Sequence, residues 1–171
     1  MGGIGELWAK RQELLDALDC LPRTLCHNDA FRRNLAWRGE QLVGLDWAFL
    51  GPGPIGAELS AFVSATVAFA EVDPVERSAF EEAAVSGYLT GLREVGWQGV
   101  VDDVWLGYAA TSALRYGPGT VRLVLPCLLD RSLQAHAAEV LGMPFDAVVA
   151  HWAAVIRADV QLHARAARIV S

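Results

Sequence analysis

The pair Gly39-Glu40 constrains this chain more than any other two residues. It separates two short apolar runs, 34–38 and 41–46, and a two-residue connection with glycine first reads as a tight β-hairpin. The hairpin brings distant residues together, because it folds Asp46, at the end of the second run, back beside Asn34, at the start of the first. Just upstream lies His27-Asn28-Asp29, with Asp29 five residues before Asn34. The chain is therefore expected to gather Asp29, Asn34 and Asp46 around one loop.

That set of side chains suits phosphoryl transfer. Asp29 and Asn34 fit the spacing H-x-D-x-x-x-x-N of kinase catalytic loops, in which the Asp handles the acceptor hydroxyl and the Asn holds a metal. A second Asp after a short strand completes the metal site, and Asp46 stands there. Mg²⁺ keeps several waters and takes only one or two carboxylates besides substrate phosphates, so one amide oxygen and one carboxylate suit it. Asp29 is then free to face the acceptor.

The same residues resemble the aminoglycoside phosphotransferase and choline kinase-like superfamily, whose fold is related to protein kinases. Its pattern is H-G-D-x-x-x-x-N, a hairpin, I-D-W-E, then a Gly/Pro loop leading to an acidic residue and Leu. Here the corresponding residues are His27-Asn28-Asp29 with Asn34, Leu45-Asp46-Trp47-Ala48, and Gly53-Pro54-Ile55-Gly56-Ala57-Glu58-Leu59. The likeness is continuous over residues 21–62, with Asn28 in place of Gly and Ala48 in place of Glu. It implies Asp29 as the catalytic residue, Asn34 and Asp46 as metal ligands, and His27 and Glu58 as structural supports of the loop. It also implies ATP or GTP as phosphoryl donor, Mg²⁺ as cofactor, and a small-molecule hydroxyl acceptor, for which a cation is one candidate class. The implied architecture is the C-terminal lobe of the kinase-like fold, without the N-terminal lobe.

Composition narrows the rest. The chain has 171 residues, enough for one domain: a motif core at 21–62 and a helical, substrate-side region at 63–171. A net charge of −6 argues against a nucleic-acid partner. No uncharged stretch is long enough to span a bilayer. Cys20, Cys26 and Cys127 are odd in number and form no C-x-x-C, as expected of a reducing, cytoplasmic setting.

Along the chain, apolar spacing predicts a helix over 4–18 with Ile4, Leu7, Trp8, Leu14, Leu15 and Leu18 on one face. Past residue 56 the reading is helical throughout. One face carries Leu59, Phe62, Val63, Val67 and Ala70. Asp73-Pro74-Val75-Glu76 is a helix start, and Gly96 a stop. Asp102 or Asp103 is expected to cap a helix reaching Arg115. Tyr116-Gly117-Pro118-Gly119 is expected to end it, before a further helix to Val140 and a last one from Phe145. The fold class is thus mainly α with one small hairpin. Residues 51–56 match G-x-G-x-x-G, but Pro52 and Pro54 lack the N–H groups a pyrophosphate needs, and no βαβ unit surrounds them.

Several residues have a plainer alternative. Arg32 and Arg33 could meet phosphate or form a surface ion pair. Trp97, Trp105, Tyr108, Tyr116 and Trp152 could form an aromatic wall or simply fill the core. Lys10 is the only lysine, on the first helix, and Gly2-Gly3-Ile4-Gly5 is too short for a phosphate loop. The chain alone is therefore expected to be a poor kinase. The competing expectation is a non-catalytic, kinase-like module that binds or scaffolds. An apolar rim at Trp47, Phe49 and Leu50 is expected to be exposed and to meet either a second copy or an N-terminal lobe.

Overall fold

The computed structural model describes residues 3–170, so Gly2 of the short glycine run lies outside the described residues. The first helical segment is two helices, α1 (Ile4–Ala9) and α2 (Arg11–Asp19), broken at Lys10 (φ −94°, ψ 6°). Leu7, Leu14 and Leu18 are buried as expected, but Trp8 is 54% and Leu15 42% exposed. The turn at Lys10 resets the helical phase, which narrows the buried stripe to one residue per turn.

Four short strands follow. The predicted hairpin forms from β2 (Leu35–Arg38) and β3 (Gln41–Gly44), with Arg38 opposite Gln41. Gly39 takes the positive φ (63°) that a tight turn asks of its first central residue. A second sheet was not expected: β1 (Arg23–Cys26) pairs antiparallel with β4 (Gly51–Pro54), with Cys26 opposite Gly51. The Gly-Pro-Gly-Pro run is thus itself a strand. Prolines are tolerated because a two-stranded ribbon consists only of edges, where N–H groups can be dispensed with. No parallel pair occurs among the described residues, in keeping with the rejection of the dinucleotide motif.

The turn after β4 packs directly on a later helix, α6 (Val101–Leu129). A methyl group at Gly107 would run into the Ile55 carbonyl, and one at Gly56 (φ 83°) into that of Val104. These two glycines let the loop and the helix backbone touch. Between them runs a continuous helix, Glu58–Ala68, made of α3 (Glu58–Ser60), a π turn (Ala61–Ala65) and α4 (Thr66–Ala68). It stops before Ala70, which adopts a left-handed φ of 57°. Asp73 caps the next segment by accepting from the Val75 N–H at 2.9 Å. α5 (Arg77–Glu94) then runs to the stop at Gly96 (φ 87°).

α6 corrects the expected break at 116–119. It continues through Gly117 and Pro118, and through Pro126, to Leu129. Its N-cap is Val100, with Asp102 and Asp103 in the first turn rather than at the cap. Pro118 removes one hydrogen bond, but Gly117 is buried against Leu7, Asp159 and Val160, a run of buried residues holds the helix before the proline, and Thr120, Val124 and Cys127 pack after it. The break falls instead at Asp130, whose side chain accepts from the Ser132 N–H at 2.8 Å and starts α7 (Arg131–Leu141). Gly142 (φ 65°) ends α7 and leads into α8 (Phe145–Val170), which packs along α6. Among the described residues no single helix is long and apolar enough to cross a membrane.

The main core joins Leu7, Leu14, Ile55, Val63, Val104 and Tyr108. A smaller one gathers Ala137, Val148 and Trp152 where α7 meets α8. Trp97, Trp105 and Tyr108 are core or core-flanking residues and not a ligand wall. A charged cluster is buried among the helices: Arg77 donates to Asp159 at 2.6 Å and to Glu81 at 2.7 Å, while the Ser64 hydroxyl donates to Asp159 at 2.9 Å. Tyr108 donates to Glu81 at 2.7 Å. Burial, the largest single influence, would lower the affinity of Arg77 for its proton, but Asp159, Tyr108 and Glu81 together outweigh it and keep the guanidinium charged. Apart from Tyr108, nothing in the sequence singled out these residues, because each sits alone in an otherwise ordinary helical segment.

Candidate active site

β1 delivers the chain to His27, which is buried, and then to Asn28, whose φ is +63°. That backbone state explains the departure from the glycine pattern. Apart from glycine, Asn is among the few residues that enter the left-handed region at small cost. Asn28 also uses its polar groups. Its N–H donates to Glu58 Oε2 at 3.1 Å and its Nδ2 to the Phe49 carbonyl at 2.9 Å. Its carbonyl accepts from Arg115 Nη1 at 2.6 Å. One residue thus ties the loop to the end of the hairpin segment, to α3 and to α6. Sequence reasoning passed over both Asn28 and Arg115. An Asn standing where glycine is usual was the available signal for the first, whereas Arg115 offered none.

Asn34 closes a short 3₁₀ turn (Arg32–Asn34) and points back at the loop. Its Nδ2 donates to both the Asp29 carbonyl and Asp29 Oδ2, each at 2.9 Å. With both amide protons committed, its Oδ1 remains as an acceptor, and so does the second oxygen of Asp29. The Asn34 carbonyl accepts from the Leu45 N–H at 2.8 Å. His27 Nε2 donates to the Leu45 carbonyl at 2.7 Å and its ring lies 4.5 Å from that of Trp47. The Leu45 peptide is therefore gripped from both sides, and Asp46 follows it in a left-handed conformation (φ 56°, ψ 69°). A non-glycine residue held there costs of order 1–3 kcal/mol and marks a position that the surroundings over-determine. The Asp46 carboxylate is exposed, and among the described residues it has no hydrogen bond or ion pair.

Asp29 lines a cleft of about 800 Å³. Its walls come from Phe31 and Phe69 on one side, and from α6, α7 and α8 on the others, with Tyr116 and Trp152 among the lining residues. Asn34 and Asp46 are not among them; Asn34 holds Asp29 through Oδ2. Burial is the main reason that the Tyr116 hydroxyl is pushed up to about 12; Arg115 opposes the rise and Asp29 adds to it. A smaller hollow of about 180 Å³, lined by Lys10, Glu13, Leu14 and His163, contains none of the loop residues.

A family model described as the phosphotransferase enzyme family matches residues 3–97. The chain belongs to the phosphotransferase enzyme family. No curated protein and no solved structure matches the chain. The family match contains the loop, both small sheets, Glu58 and the π turn. It ends before Val101, so α6 to α8 and most of the cleft lie beyond it. Phosphotransferase chemistry in general is what membership points to.

The remaining expectations about single residues sort cleanly. Arg32 and Arg33 both pair with Glu71, at 3.8 Å and 3.0 Å, and form the surface pair. Glu58 accepts from the loop through Oε2, while its Oε1 is buried without a partner. Trp47, Phe49 and Leu50 are 52%, 62% and 47% exposed, so the rim is apolar and open. Lys10 pairs with Glu6 at 3.9 Å, at the junction of α1 and α2.

Proposed function

We propose that this chain supplies the catalytic lobe of an ATP- or GTP-dependent small-molecule O-phosphotransferase of the protein kinase-like fold. The observation that carries the reading is the Asn34–Asp29 clamp. Asn34 Nδ2 holds one Asp29 oxygen, which leaves the other, at the cleft wall, to accept a hydrogen bond from an acceptor hydroxyl. Asp29 orients that hydroxyl for in-line attack and receives its proton as the new O–P bond forms. His27 and Glu58 keep the loop in shape through Leu45 and Asn28.

Asn34 Oδ1 and Asp46 are the residues that would hold Mg²⁺. The fit rests on their chemistry: a neutral amide oxygen without a donor, and an exposed, unpaired carboxylate one residue beyond the gripped Leu45 peptide. One amide oxygen and one carboxylate suit a hard ion that keeps its waters. When bound, the ion would neutralise charge on the donor phosphates.

The second reading, a non-catalytic kinase-like module, is favoured by one observation: the only lysine is tied to Glu6 rather than to the loop. The kinase scheme needs a lysine on the nucleotide phosphates. Assaying γ-phosphoryl transfer separates the readings, using the chain alone and the chain given a matching N-terminal lobe in trans. The expected result is turnover near background alone, a clear gain with the added lobe, and a loss of about 10³-fold of that gain in Asp29→Ala, within the range for a positioned acid–base group. An Asp29→Ala protein that keeps the full gain overturns the assignment.

A further inference from the structure

The cleft beside Asp29 has a charge pattern that runs against the chain as a whole. The protein carries 20 acidic residues and a net charge of −6, yet only Asp29 among the acids lines the cleft. The other charged or titratable lining residues, apart from Tyr116 and Cys127, are Arg115, Arg122 and His136. Arg115 is held at the loop end by the Asn28 carbonyl. Arg122 lies seven residues further along α6, two helical turns or roughly 10 Å from it. Neither Arg122 nor His136 has an ion pair or hydrogen bond among the described residues, so both side chains are free to meet a ligand. Most of the remaining lining is apolar. Tyr116, Gly119, Leu123 and Cys127 follow one face of α6, with Phe31 and Trp152 also lining the cleft. At Gly119 an added Cβ would meet nothing, so the glycine leaves room.

We propose that the acceptor is a hydroxylated, largely apolar acid, bound with its hydroxyl at Asp29 and its carboxylate at Arg122 and His136. This deepens the phosphotransferase reading and rests on it for the role of Asp29. A guanidinium matches a carboxylate with two parallel hydrogen bonds. The apolar walls take the body of the ligand, and a volume of about 800 Å³ is in the range of small-molecule sites. A cationic acceptor instead meets like charge at Arg115 and Arg122 and only one carboxylate, Asp29.

Calorimetry with three probes tests this on the whole chain: ω-hydroxydecanoate, whose extended length is about two helical turns, decanol, and the corresponding ω-amino alcohol. The acid is expected to bind at least tenfold more tightly than either of the others. Arg122→Glu, a surface substitution whose fold is checked by circular dichroism, is expected to remove that preference while leaving decanol unchanged. Gly119→Leu, which fills the cleft, is expected to weaken all three. The proposal is overturned if the amino alcohol binds as well as the acid, if Arg122→Glu leaves the acid's affinity unchanged, or if no probe binds. Binding needs no phosphoryl transfer, so the two ideas fail separately: transfer to other acceptors without acid binding removes this one, and acid binding with no transfer even when the N-terminal lobe is added removes the other.

Discussion

The part of the chain that matches the phosphotransferase family and the part beyond it are built on different physics. In residues 3–97 the functional geometry is set by hydrogen bonds between particular groups: Asn28 to Glu58, Asn34 to Asp29, His27 to Leu45. Each depends on a residue type at a fixed spacing, and changing the type loses the bond. In α6 to α8 the geometry comes from apolar helices lying against one another, with Val104, Val148 and Val155 fully buried and a cleft left between them. Many sequences can pack that way. The comparison teaches that the geometry of the loop, which lies inside the family match, belongs to the hydrogen-bonded half, and most of the cleft's wall to the packed half.

The two halves are nevertheless joined by the buried charges, and that joint is where the contrast is easiest to break. Ser64 and Arg77 lie in the matched part, Asp159 beyond it. Asp159→Ala leaves the buried Arg77 guanidinium with Glu81 as its one remaining counter-ion among the described residues, and a loss of about 3 kcal/mol, the low end for a broken buried pair, is expected. It should appear in urea unfolding as a single transition shifted for all probes. Two separate transitions would mean that the halves unfold independently. The double change Arg77→Met with Asp159→Leu removes both charges and is expected to recover most of the loss.

Asn28 tests the hydrogen-bonded half alone. Asn28→Ala places a β-carbon residue at φ +63° without the side-chain bonds, and a loss of about 1–2 kcal/mol is expected. Asn28→Gly keeps the backbone state and should cost less. A loss in the glycine variant as large as in the alanine one would show that the Asn side chain, rather than its conformation, secures the loop. For Asp46→Ala the expected effect is about tenfold weaker Mg²⁺ binding in the presence of nucleotide, or about 1.4 kcal/mol. Calorimetry that finds equal binding in both proteins would put the ion elsewhere.

The smallest effect at neutral pH concerns the tyrosines. Burial raises Tyr88, Tyr108 and Tyr116, the last to about 12. A raised tyrosine contributes stability that is complete below its unfolded value near 10 and is lost as pH climbs through its folded value. Absorbance near 295 nm should therefore show no phenolate step at pH 10, and its rise should accompany loss of helical circular dichroism. Tyr116 lines the cleft and Tyr108 belongs to the core, so Tyr116→Phe is the variant to compare. A free step at pH 10 that disappears in it would mean that the cleft wall is more open than drawn.

Local chemistry was legible from the sequence. Gly39-Glu40 can only be a turn between those two runs, because glycine alone enters a positive φ freely, and the hairpin register then brings Asp46 back to Asn34. The Asp73-Pro74 start and the Gly96 stop follow from the same kind of rule, since a cap involves only neighbouring residues. What depended on residues far apart in the chain was not legible. Gly51–Pro54 has almost no strand preference, and it is a strand only because Arg23–Cys26 lies beside it. Pro118 ought to end a helix, but packing around Gly117 outweighs one missing hydrogen bond. The ion pair of Arg77 with Asp159 spans 82 residues, and the cleft draws its walls from five separate segments of the chain. A local rule sees only the conformational preference of a few residues. Burial and charge pairing act between surfaces that exist only once the chain has folded, and tertiary structure alone could decide them.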